Sequence, residues 1–145
     1  MTQFQVPASE VNRACQELGI RDWSKLDEIT VSLDEAKAIR AALGAEAGQL
    51  SIEDFRQGLQ VELEHGEQYS AANVTSNHPV LTGKIVLAHL KESLLYYKRI
   101  AVAELEGDLL KVIQASGDDG LRKLYARLLE AKVALLRAEQ EMLAK

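Results

Sequence analysis

The chain has 145 residues, long enough for one domain with a sizeable core, and its 47% apolar and 27% charged residues argue against disorder. Its net charge is −5 and no Lys/Arg run exceeds two residues, so a nucleic-acid partner is not expected. No apolar run approaches a membrane span, and MTQFQVPASE lacks the basic-then-apolar order of a secretory leader, so a cytoplasmic protein with no membrane partner is expected.

Ala, Leu, Glu and Lys dominate and only two prolines occur, a composition that favours helices. The first helix is expected over 9–18, capped by Ser9 and stopped by Gly19, with Val11, Ala14, Cys15 and Leu18 at helical spacing. Cys15 is the only cysteine, so no intramolecular disulfide can form, and its apolar setting reads as a small core residue. A loop with the single tryptophan, Trp23, follows. The EITVS stretch has the character of a brief extended piece without a pairing partner.

Ser32 and Glu35 form a capping box for a second helix over 33–43, ended by Gly44. A third spans 52–65, with Ser51 and Asp54 at its start and Gly66 as its stop. Residues 67–79 form a long polar loop, and loops of that length in compact domains are often functional. Asn73-Val74-Thr75 within it reads as turn chemistry, not as a glycan site. His78, before Pro79, reads as exposed. One long helix is expected over 80–115, bent near Gly107. Gly117 and Gly120 mark the next turn, and a last helix covers 119–144. The whole is an all-α domain of about five helices, with N-terminal helices in 1–50, a motif-bearing core in 51–100 and a C-terminal antiparallel hairpin over 101–145.

Two histidines stand in mirrored settings. Glu62 and His65 are three apart at the end of the third helix, and His89 and Glu92 are three apart on the long one. Residues at that spacing are neighbours on a helix surface, so each pair presents an imidazole and a carboxylate together. On a helical wheel of the long helix, Leu87, Leu90, Leu94, Ala101 and Leu105 share one side. His89, Glu92 and Tyr96 share nearly the opposite side with Ile85, Ala88 and Leu95, which puts the three polar groups in a partly buried layer.

Two readings follow. In one, the histidines and acids form a hydrogen-bonded polar network with the loop, in a non-catalytic binding or interaction module. In the other, Glu62, His65, His89 and Glu92 hold one divalent transition metal such as Fe, Mn or Zn, in a metal-binding protein or metal-dependent enzyme. Glu-x-x-His is also half of the di-iron bundle motif, but the second copy here is reversed. Asn73 and Thr82 read as capping and bracing the loop. Leu81-Thr82-Gly83-Lys84 could hold an anion at a helix start, although it lacks the glycine-rich run of a P-loop. No Ser or Thr stands in a triad-like pattern.

The middle third resembles a small bacterial and phage domain family of unknown function. The resemblance rests on Val61-Glu62-Leu63-Glu64-His65-Gly66, Asn73-Val74-Thr75, Thr82-Gly83-Lys84-Ile85, Ala88-His89-Leu90, Glu92 and Tyr96-Tyr97, across about residues 50–100. It implies that the two histidines and the loop act as one unit, and it implies no activity. Asn77-His78 stands where acids are common, and Leu94-Leu95 where Pro-Asp commonly precedes the tyrosines. The expected partner is a second copy or another protein, bound through the C-terminal hairpin. A third functional class is a phage or host regulator that binds a protein through an exposed helix face.

Overall fold

A computed structural model of the protein describes residues 5–115 and 120–145. Among these the chain forms seven α-helices, two 3₁₀ turns and no strand. The helices are α1 (Ala8–Leu18), α2 (Leu33–Ala42), α3 (Ala45–Gly48), α4 (Ile52–Gln68), α5 (Pro79–Glu92), α6 (Tyr96–Gln114) and α7 (Leu121–Leu143). The all-α class is as expected. The count exceeds five because α3 is a single turn and because the long helix divides in two. Gly117 and position 119, assigned from sequence to the final turn and helix start, lie outside the described residues. The chain forms two compact units, residues 1–92 and 93–145.

In the first unit, α1 begins after Pro7 with no side-chain cap, so Ser9 does not serve as one. Gly19 ends it at φ 67°, the left-handed conformation a glycine adopts at no steric cost. Cys15 is buried, its Sγ accepts the backbone N–H of Trp23 at 3.3 Å, and burial pushes its thiol pKa up.

The capping box of α2 forms, and the structure adds to it. Buried Glu35 accepts from Arg21 through Nε (2.8 Å) and Nη2 (3.1 Å), from the Trp23 indole (3.1 Å) and from the Ser32 amide (2.8 Å). Burial alone would raise the Glu35 pKa, but the donors from Arg21, Ser32 and Trp23 outweigh it and hold the carboxyl below its ordinary value. This carboxylate ties the Trp23 loop to the start of α2. The EITVS stretch is fastened in place by Gln60, whose Oε1 accepts the Val31 amide at 2.8 Å.

Phe55, Leu59 and Leu63 form the buried stripe of α4, which packs on α2 and α5. The buried face of α5 is Pro79, Thr82, Gly83, Val86 and Leu90. A Cβ on Gly83 would stand 2.7 Å from Ile39 Cγ2 and 3.0 Å from Leu43 Cδ1. Gly83 is therefore the point of close approach between α5 and α2, and residues 81–84 lie within α5 with Thr82 and Gly83 buried.

The expected helix over 80–115 breaks between Glu92 and Tyr96, while α6 runs without interruption through Gly107. Ser93 Oγ accepts the Leu95 amide at 3.3 Å, and the Ser93 carbonyl accepts the Tyr96 amide at 3.0 Å. A serine that offers the backbone such a local partner competes with the helix ladder. The break resets the helical phase, so a single wheel cannot run from His89 to Tyr96.

In the second unit, α6 and α7 pack as an antiparallel hairpin, joined by Arg99–Glu139 (2.9 Å) and Lys132–Glu106 (3.3 Å). Leu105 and Leu128 are buried. Tyr97 is buried and Tyr96 half-buried, with their rings edge to face at 5.1 Å.

Candidate functional site

Helix α4 continues past Gly66 to Gln68, so this glycine is not a stop. A Cβ there would lie 2.7 Å from Asn73 Nδ2 and 3.1 Å from Asn77 Oδ1. The missing side chain is what lets the following loop fold back onto the helix. That loop contains a 3₁₀ turn at Ser70–Ala72, and Ser76 and Asn77 adopt positive φ of 48° and 62°. Asn tolerates that conformation better than most residues.

Side chains hold the loop in one directed chain. Thr82 Oγ1, buried on α5, donates to Thr75 Oγ1 at 3.2 Å, and Thr75 donates to Asn73 Oδ1 at 3.1 Å. Asn73 Nδ2 donates to Asn77 Oδ1 at 2.8 Å, and Asn77 Nδ2 donates to the Glu67 carboxylate at 2.8 Å. The Asn77 amide also donates to Thr75 Oγ1 at 3.3 Å. His78 is half-buried, not simply exposed. Its carbonyl accepts the Thr82 amide at 2.9 Å and its Nδ1 accepts the Leu81 amide at 3.4 Å, which satisfies the start of α5.

Under this loop lies a cleft of about 250 Å³, lined by α4, the loop and α5. Its polar wall includes Glu62, His65, Asn73, Thr75 and Thr82. Tyr69, Ala72, Val74 and Ile85 supply apolar surface. Four of the sequence candidates therefore meet here, namely Glu62, His65, Asn73 and Thr82. His89, on α5, reaches Glu62 with Nε2 3.7 Å from Oε1, an ion pair when the imidazole is protonated.

The other candidates stand elsewhere. Lys84 and Glu92 are exposed on α5 and do not line the cleft, and Tyr96 belongs to the second unit. Glu92 therefore does not point into a buried layer. Among the described residues no group of three or more His, Cys, Asp or Glu is placed to hold a metal ion. Sequence reasoning passed over Tyr69, Thr75 and Ile85. Thr75 belonged to the Asn-x-Thr turn already singled out and Ile85 to the wheel side shared with His89, whereas Tyr69 carried no distinguishing signal.

A family model described as "Protein of unknown function (DUF5661)" matches residues 11–106. The chain belongs to this family. The DUF5661 match runs from α1 through most of α6 and contains every residue of the cleft, a wider span than the motifs in 50–100 suggested. Helix α7 lies outside the DUF5661 match. No curated protein and no solved structure matches the chain.

Proposed function

We propose that this protein is a non-catalytic binding module whose ligand is a small organic cation held in the cleft beneath the loop. One observation carries the reading. Glu62 is the only carboxylate among the residues lining the cleft, no Lys or Arg lines it, and apolar side chains make up much of its wall. A largely apolar pocket with a few placed polar groups is the usual form of a small-molecule site. A primary ammonium group would pair with Glu62 beside the His65 imidazole, while a short apolar body lies against Tyr69, Val74 and Ile85. The directed hydrogen-bond chain supports this role, because it pre-orders the roof and lowers the entropy lost on binding. We place the module in the cytoplasm, since a single cysteine gives no disulfide framework of the kind that small secreted domains use.

The test is a titration of ¹⁵N-labelled protein with benzylammonium and butylammonium, with benzoate and butyrate as controls. The amides of Gly66, Asn73 and Thr75 should shift saturably with the ammonium probes only, and Glu62→Gln should abolish the response. Equal shifts with the carboxylates, or none with either, would overturn the reading. Stoichiometric zinc or manganese in untagged protein, lost on His65→Ala or His89→Ala, would replace it with the metal reading.

A further inference from the structure

Helix α7 carries two apolar seams. Leu121, Leu124, Leu128, Ala131, Leu135 and Ala138 recur at alternating steps of three and four residues, and so do Ala126, Leu129, Val133, Leu136, Gln140 and Leu143. At 3.6 residues per turn the second series lies about 150° round the helix from the first. The first faces α6, with Leu128 buried and the others half-buried. In the second, Leu129, Val133, Leu136 and Leu143 are between 44% and 89% exposed. A sustained seven-residue repeat is the pattern of a helix–helix seam, and surface helices do not ordinarily carry two.

We propose that the second seam is covered by α7 of a second copy of this chain, lying antiparallel across a two-fold axis. The charges beside the seam specify that partner. Glu130 and Arg137 flank it on one side, Lys132 and Glu139 on the other. An antiparallel pair can set Val133 against Leu136 of the second copy, Leu129 against Gln140 and Ala126 against Leu143. In that register Glu130 faces Arg137 of the second copy, and Lys132 faces Glu139 of the second copy. The two-fold axis repeats each attraction.

The nearby arrangements that keep a two-fold axis are repulsive. A slip of one heptad in one direction puts Glu130 against Glu130 and Lys132 against Lys132. The opposite slip puts Arg137 against Arg137 and Glu139 against Glu139. A parallel, in-register pair puts Lys132 against Arg137. Like charges across such a seam select against the arrangement that creates them, so the sequence favours one orientation and one register. Within each hairpin Lys132 already meets Glu106 and Glu139 meets Arg99, so association would join these pairs into larger networks. The product is two hairpins side by side, a four-helix arrangement.

Sedimentation equilibrium of the full chain over a concentration series is the test. The wild type should show twice the chain mass. Leu136→Glu, on an exposed face, should give a monomer with unchanged Trp23 fluorescence and helical circular dichroism. Arg137→Glu turns two attractions into repulsions and should weaken the dimer about tenfold or more. Adding Glu130→Arg to it should restore association. A parallel dimer would instead tighten on Arg137→Glu, and that result overturns the proposal. So does a chain that is monomeric at every concentration, which would leave the seam to a different protein, and so does an assembly indifferent to both charge swaps.

Discussion

Replacing Glu35 with alanine removes the acceptor shared by Arg21, Trp23 and the Ser32 amide. Removing one partner of a buried ion pair costs roughly 3–5 kcal/mol, because the other groups lose their partner without regaining water. The Arg21 side chain is 44% exposed, so it recovers hydration and the cost falls toward the low end of that range. The Trp23 indole N–H is fully buried and recovers none, and half of the α2 capping box is lost as well. The expected loss is about 3 kcal/mol, or roughly 12–25 °C in Tm for a unit of this size. Urea unfolding followed by fluorescence measures it directly, because Trp23 is the only tryptophan and lies in the first unit. The acid limb gives an independent check. The folded pKa of Glu35 lies below its ordinary value of 4.5, so its contribution is complete above that pH and is lost as pH falls through the folded value. The gap between wild type and variant should therefore narrow in acid. A loss below about 1 kcal/mol, or a gap that holds constant down to acid pH, would refute the reasoning.

Two glycine substitutions probe the approach distances. Gly83→Ala should destabilise by about 1–2 kcal/mol in the same urea assay, because crowding of Ile39 and Leu43 outweighs the gain in helix propensity. A stabilised variant would show that α5 can move away from α2 at little cost. Gly66→Ala should change global stability by less than about 1 kcal/mol, since a better helix former offsets the displaced asparagines. Its effect should be local, with faster amide hydrogen exchange in residues 73–77, and exchange identical to wild type would count against the close contact.

Where local chemistry decides an element, the sequence was readable. Ser32 with Glu35 and the glycine after Leu18 set helix ends through interactions spanning three or four residues, and both are where the pattern put them. Glycines in close contacts misled. Gly83 is small because Ile39 and Leu43, distant in the chain, approach it, a reason that no window around it contains, and Gly66 because the loop that follows folds back on it, which helical spacing alone does not reveal. The break at Ser93 lacks both glycine and proline. The only hint was the Pro-Asp of the family pattern, a dipeptide that ends one helix and caps the next, at the position Leu94-Leu95 occupies here. The sequence put Glu62 and His89 each beside a partner on its own helix, and it is the packing of α4 on α5 that brings these two together. Glu92 failed to join them because the stripe that α5 buries runs through Thr82, Val86 and Leu90, and Glu92 lies off it.

The hydroxyls and amides that link Thr82 to Glu67 all point the same way along the chain. Such a relay has a polarity, and its terminal carboxylate sets it, since Glu67 can only accept. Asn77 must then offer its nitrogen to Glu67 and its oxygen to Asn73, and Asn73 must present its own oxygen to Thr75. Glu67 lies outside the cleft, yet it dictates which atoms of Asn73 and Thr75 remain to meet whatever enters. A lysine at position 67 would demand the opposite polarity and so rewrite the chemistry of a surface it never touches.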